Sequence, residues 1–149
     1  MKDDSKIKGK LERLNKRDFV QIVVGSFVGA LVFLTSGEIV GISDNTPFEN
    51  IYLIAVISIL FSYLISYMIG VRKLGRKKIR MFLGIVPERM LLQYSSAIFF
   101  STFLLYLFGI NSSATLLDII IKRIVILAMP STITASATDL IESQKEKVE

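Results

Sequence analysis

Four long hydrophobic runs divide the chain, with short polar stretches between them. They cover residues 19–41, 51–71, 90–110 and 116–140. A helix of about 20 apolar residues is long enough to cross the ~30 Å hydrocarbon core of a bilayer. The second and third runs contain no charged residue. The pattern therefore predicts an all-α membrane protein in which four transmembrane helices form a bundle.

The fourth run is less regular than the other three. Asp118, Lys122 and Arg123 lie near its start, and only residues 124–138 are free of charge. Long basic side chains can reach the headgroups from within the bilayer, so a helix that begins near Thr115 can still span. A re-entrant or interfacial segment is the alternative interpretation.

The positions of Lys and Arg predict how the helices are oriented. Residues 1–18 and residues 72–89 hold seven basic residues each, whereas the connections 42–50 and 111–115 hold none. Because cytoplasmic loops are enriched in Lys and Arg, both termini and the loop 72–89 are expected in the cytoplasm. The predicted organisation is a cytoplasmic tail (1–18), a transmembrane domain (19–140) and a second cytoplasmic tail (141–149). A multi-pass protein of the plasma or inner membrane is expected.

Two basic segments can also contact the membrane surface. Ile7, Leu11 and Leu14 recur at helical spacing among Lys and Arg residues, which predicts an interfacial amphipathic helix. A solvated, disordered tail is the alternative. The candidate anionic-lipid ligands in the central loop are Arg76, Lys77, Lys78 and Arg80.

Composition removes several classes of function. The chain has no Cys, His or Trp, which excludes disulfides, thiolate or imidazole metal sites and Cys or His nucleophiles. The net charge of +5 is accounted for by the membrane flanks, so no nucleic-acid partner is expected. No phosphate-binding loop, nucleophile elbow or metal-ligand spacing is present. We therefore expect neither an enzyme nor a bound metal or cofactor.

Small residues at four-residue spacing mark helix faces that admit a close neighbour. Gly25 and Gly29 form a GxxxG pattern in the first helix, and Ser58, Ser62 and Ser66 form a row in the second. One interpretation is packing, within one chain or between copies. The other is that a hydroxyl-bearing row lines a water-filled path. Spacing is consistent with both.

Ionisable residues at membrane depth are costly and point to a structural or functional site. Glu38, Asp118, Lys122 and Arg123 all fall in the predicted outer half of the bilayer. Asp118 and Lys122 have the spacing of a helical ion pair, and Lys122 or Arg123 could meet Glu38. The group could be an ion-pair network, a charged vestibule, or side chains that reach the interface without partners. Pro130 can kink the fourth helix.

Two stretches resemble a known family. Residues 29–38 read GALVFLTSGE, and residues 128–131 read AMPS. These are similar to the first and last helices of a family of small, uncharacterised prokaryotic integral membrane proteins. The resemblance implies a membrane fold without a settled activity, and it marks Thr35, Glu38 and Pro130 as residues to test.

The hypothesis that these features favour is a homo-oligomeric channel or small-ion transporter. Its path would be lined by Thr35 and the Ser58, Ser62 and Ser66 row, or by the hydroxyl-rich fourth helix. The alternative is an accessory or scaffold protein that binds a partner protein or anionic lipid without transport.

Overall fold

The computed structural model describes residues 16–74, 81–82, 86–112 and 115–145. The helices are α1 (Lys16–Thr35), α2 (Glu38–Asn45), α3 (Phe48–Leu74), α4 (Glu88–Leu107) and α5 (Leu117–Lys145). Two short strands, β1 (Met81–Phe82) and β2 (Val86–Pro87), pair in antiparallel register before α4. The predicted amphipathic helix through Ile7, Leu11 and Leu14 lies outside the described residues. So do the four predicted lipid ligands, Arg76, Lys77, Lys78 and Arg80.

The four predicted transmembrane helices are confirmed. The segments Asp18–Thr35, Phe48–Met68, Glu88–Leu107 and Leu117–Thr138 are long and apolar enough to cross a membrane. Helix α5 is continuous through the charged start of the fourth run, which favours a spanning helix over a re-entrant segment. The bounds of α3, α4 and α5 differ from the predicted ones by a few residues at each end.

The first hydrophobic run is two helices, and its prediction as one helix through residue 41 was wrong. Helix α1 ends at Thr35, and α2 begins at Glu38. The hydroxyls of Thr35 and Ser36 each donate to the carbonyl three residues earlier, which competes with helical hydrogen bonding. Gly37 then adopts a left-handed conformation, with φ of 72°, that turns the chain away from the α1 axis.

The spans run in alternating directions, and α5 contacts α1, α2, α3 and α4. We call the two ends of the bundle the basic end and the α2 end. At the basic end α1 and α4 begin and α3 and α5 finish. At the α2 end lie α2 and the connection between α4 and α5.

A close approach of the α1 and α5 backbones centres on Gly25 and Gly29. A Cβ atom added to Gly25 would lie 2.8 Å from the Thr138 hydroxyl oxygen and 2.9 Å from the Ala135 Cα. A Cβ atom added to Gly29 would lie 2.7 Å from the Thr134 hydroxyl oxygen. The GxxxG pattern is therefore used inside one chain, against the small residues that follow Pro130.

The outward surface of the bundle is apolar. Helix α3 is the least buried span, and it exposes Tyr52, Leu53, Leu60 and Leu64. No charged residue lies between its positions 50 and 71. Such a surface suits contact with acyl chains, whereas most serines of the spans are buried.

Candidate functional site

A column of hydroxyl and amide side chains occupies the interior of the bundle. Each member is at most 9% exposed, and all four spans contribute. The members of this polar column are Ser26, Ser58, Ser62, Ser66, Gln93, Ser96, Ser101, Ser131, Thr132 and Ser136. The predicted Ser58, Ser62 and Ser66 row is thus buried against α4 and α5.

Gln93 lies toward the basic end of the polar column and is fully buried. Its side-chain oxygen Oε1 accepts hydrogen bonds from Ser66 at 2.9 Å, Ser136 at 3.1 Å and Ser62 at 3.2 Å. Its amide nitrogen Nε2 has no hydrogen-bond partner among the described residues. One carboxamide therefore joins α3, α4 and α5.

Hydroxyl pairs continue the polar column toward the middle of the bundle. The Ser26 and Ser96 hydroxyls are 2.8 Å apart, and Ser131 donates to the Ser26 carbonyl at 2.6 Å. The Ser58 and Thr132 hydroxyls are 3.3 Å apart. Ser101, about one turn further along α4, has a buried hydroxyl without a partner among the described residues.

An apolar cluster separates the polar column from the α2 end. It consists of Ala30, Leu34, Ile39, Leu104, Leu105 and Leu127. We call this cluster the apolar plug. Leu105 and Leu127 are fully buried, and Leu104 is 1% exposed. The polar column therefore does not reach the α2 end in this conformation.

Arg123 is the centre of the polar contacts at the α2 end. It is 9% exposed, and its Nε and Nη2 atoms donate to the two carboxylate oxygens of Asp44 at 3.2 and 3.0 Å. Its Nη1 atom donates to the Ile110 carbonyl at 2.7 Å and to Asn111 Oδ1 at 3.2 Å. Arg123 thereby ties α5 to α2 and to the connection after α4.

The electrostatic effect of this contact falls on Asp44, which lies outside the spanning segments. Hydrogen bonds from Arg123 hold the pKa of the Asp44 carboxyl below its usual value of 3.8. Burial opposes this shift, and the positive charges of Arg123 and, more weakly, Lys122 add to it. The Asp44 side chain is 41% exposed, so solvent screens the pair.

The predicted pairing of Arg123 or Lys122 with Glu38 was wrong. Arg123 pairs with Asp44, and Lys122 donates to the Thr46 carbonyl at 2.9 Å. Glu38 is exposed at the start of α2, on an open groove of about 480 Å³. The helix break at Gly37 is the physical reason, because it separates Glu38 from the α1 axis and makes Asp44 part of a helix.

The predicted ion pair between Asp118 and Lys122 is also not formed in the part of the chain that the structure describes. Asp118 is exposed in the first turn of α5, and the Lys122 ammonium is directed to α2 instead. Of the four predicted charged residues, the structure therefore brings only Lys122 and Arg123 into one cluster.

A second buried ion pair lies at the basic end. Arg89 Nη2 donates to Asp18 Oδ2, and each side chain is 8% exposed. Arg89 is one helical turn before Gln93 on the same face of α4. This pair joins α1 to α4 at the basic end of the polar column.

Two further predicted residues lie outside the polar column. Thr35 is exposed and donates to the Val32 carbonyl at 2.9 Å. Pro130 lies inside α5, and its carbonyl accepts a hydrogen bond from Thr134 at 2.9 Å. The kink that Pro130 was predicted to cause stays a prediction.

Sequence reasoning missed Gln93, Asp44 and the pair of Asp18 with Arg89 as site residues. Gln93 had a usable signal, because it is an amide within a span that has no charge. Asp44 and Asp18 were assigned to a loop and a tail, where carboxylates are ordinary. In the described ranges, no group of three or more His, Cys, Asp or Glu residues could hold a metal ion.

Comparison with known proteins identifies a relationship over nearly the whole chain. The model of the integral membrane protein family DUF2391 matches residues 2–141. No curated protein and no solved structure matches the chain.

Proposed function

The chain belongs to DUF2391, a family of integral membrane proteins, and from this premise we propose that it is a channel or small-ion transporter. The path runs through the interior of its own four-helix bundle, along the polar column. The observation that carries the proposal is a buried column of hydroxyls around an amide whose nitrogen has no partner in the described chain.

The competing explanation for the polar column is simple packing, and the buried polar atoms that lack a partner in the described chain count against it. An interhelical hydrogen bond within a membrane contributes about 0.6 kcal/mol on average. A buried polar group left without a partner costs about 1–3 kcal/mol. The nitrogen of Gln93 and the hydroxyl of Ser101 are both in that position. A column selected only for stability would place apolar side chains at these two sites.

The apolar plug acts as the gate in this proposal. Its leucines, Leu104, Leu105 and Leu127, are almost completely buried and lie where the polar column stops. An apolar constriction excludes water and ions until its side chains separate. The ion pair of Asp18 and Arg89 closes the opposite end, so the conformation described is an occluded one.

The proposed orientation places the basic end in the cytoplasm, because residues 1–18 and 72–89 hold most of the Lys and Arg. The protein would be a multi-pass protein of the plasma or inner membrane. Since the chain has no native cysteine, single-cysteine variants report sidedness cleanly. Ser112→Cys should react with an impermeant maleimide from outside intact cells, and Lys145→Cys only after permeabilisation. The reverse pattern would overturn the orientation.

Homo-oligomerisation stays a prediction. The small-residue faces that suggested it are used within one chain, where Gly25 and Gly29 contact α5. Each protomer would therefore contain its own path, and association would place such paths side by side. Light scattering of the purified protein in detergent measures the oligomeric state. The accessory or scaffold alternative depends on basic residues outside the described ranges.

Flux into liposomes tests the proposed function. Purified protein should transport at least one common inorganic ion above the rate of protein-free vesicles. Leu127→Ala shortens one side chain of the apolar plug, so it should increase the rate of ion flux. Leu60→Ala is the matched control, because Leu60 is 61% exposed on the outer surface of α3. No flux from the wild type or from Leu127→Ala, with both proteins folded in the vesicles, would reject transport.

A further inference from the structure

The two ends of the Gln93 carboxamide differ in how their hydrogen-bonding groups are paired. A carboxamide oxygen has two lone pairs, and three hydroxyls share them, from Ser62, Ser66 and Ser136. The oxygen is therefore fully used as an acceptor. The amide nitrogen adds two N–H donors that have no partner among the described residues.

The unpaired N–H donors of Gln93 determine which ligand chemistry fits. A buried donor is costly unless an acceptor meets it. A metal cation would leave these N–H groups without an acceptor. A ligand that accepts hydrogen bonds satisfies them, and the serine hydroxyls can rotate to donate to it as well.

Charge limits the ligand further. The polar column has no formal charge, and Arg89, one turn from Gln93, is paired with Asp18. A multiply charged anion would need uncompensated cations nearby, and the described members of the polar column include none. A small anion with a single charge and a moderate hydration energy needs only neutral donors.

We infer that Gln93, Ser62, Ser66 and Ser136 form a binding site for a small monovalent anion of the halide class. The claim that this site is the substrate site of the path rests on the proposed function. Anion binding at the site can be tested without measuring flux.

Thermal unfolding in detergent, at constant ionic strength, measures binding directly. Replacing gluconate by chloride or bromide should raise Tm. Above the dissociation constant, each tenfold increase in halide should add about 3–5 °C. Gln93→Glu should abolish the halide effect, because a carboxylate replaces the N–H donors. Ser66→Ala and Ser136→Ala should weaken the halide effect. These two variants provide the test if Gln93→Glu does not fold. Ser95→Ala, an exposed serine on the same helix, should leave the halide effect intact.

Three results would overturn the inference. A Tm that does not depend on halide in the wild type would mean that water alone fills the site. A halide effect retained in folded Gln93→Glu and in both serine variants would place the anion elsewhere. A Tm that follows the identity of the cation, at constant gluconate, would assign the site to cations.

Liposome flux separates this inference from the proposed function. A halide-dependent Tm without flux supports the site and rejects transport, whereas flux without a halide effect does the reverse.

Discussion

Removing the carboxylate of Asp44 should destabilise the bundle, although Asp44 lies on a short helix outside the spans. In the Asp44→Asn variant, Arg123 keeps its contacts with the Ile110 carbonyl and Asn111 but loses a bidentate charged partner. Hydrogen bonds to charged groups contribute about 1.5–3 kcal/mol each when well shielded. Exposed ion pairs contribute about 0–1 kcal/mol.

The Asp44 side chain is 41% exposed and that of Arg123 is 11% exposed, so the pair falls between these limits. We expect a loss of about 1–2 kcal/mol. For a chain of this size, that corresponds to a fall in Tm of about 2–8 °C. Arg123→Met should cost more, because it also leaves the Ile110 carbonyl and the buried Asn111 without their donor.

Thermal unfolding of the purified protein in detergent, followed by circular dichroism, measures the effect. Glu38→Gln is the matched control, because Glu38 is exposed and pairs with no described basic residue. It should change stability by less than about 0.5 kcal/mol. The reasoning fails if Glu38→Gln is as destabilising as Asp44→Asn. It also fails if a double-mutant cycle finds no coupling between Asp44 and Arg123.

The same structure supports three further predictions. Because the folded-state pKa of Asp44 is lowered, its stabilising contribution should be complete above pH 3.8 and be lost as the pH falls through the folded value. The Tm difference between wild type and Asp44→Asn should shrink in that acid range, and a constant difference would contradict it. Gly29→Ala should lower the free energy of unfolding by about 1–3 kcal/mol, because the added methyl group pushes α1 away from α5. Gly41→Ala is the control in the same unfolding assay. Its added Cβ meets no atom within 4 Å, so it should be neutral or stabilising. Arg89→Met should lower the free energy of unfolding by about 3–5 kcal/mol, because it leaves Asp18 buried without this guanidinium. The double variant Asp18→Arg with Arg89→Asp should recover part of that loss if the ion pair itself is responsible.

The spans could be predicted from the sequence because lipid imposes one requirement on every spanning segment. In a helical membrane protein each span must be apolar and about 20 residues long, and uncharged runs such as 51–71 meet that requirement directly. The contact of Gly25 and Gly29 with another helix could also be predicted from the sequence. Two glycines four apart on a lipid-embedded helix favour close packing, because they carry no side chain that could line a polar path.

The partner of Arg123 could not be predicted from hydropathy. A hydropathy average over a run of apolar residues does not reveal a single helix break. The break at Gly37 was therefore not predicted within the run 19–41. With one helix assumed, Glu38 is the only carboxylate in that run. With the break, Ile39 and Ser43 face the bundle, and Asp44 rather than Glu38 reaches Arg123.

The Gln93 site required the relative rotation of three helices. Each serine in the polar column is compatible with ordinary packing when its helix is considered alone. Only the packed structure shows that hydroxyls from α3 and α5 converge on the oxygen of one carboxamide, while its nitrogen has no partner among the described residues. That convergence is a property of tertiary packing, which sequence spacing does not encode by itself.

The central position of α5 has a consequence for biogenesis. Among the described helices, the one that contacts all others is the last to leave the ribosome. Until it inserts, the glycine surface of α1 lacks the helix against which it packs, and Ser58 of α3 lacks its partner Thr132. A nascent chain that stalls before residue 117 therefore lacks the helix that contacts all the other described helices. Assembly of this bundle is completed only at the final insertion step.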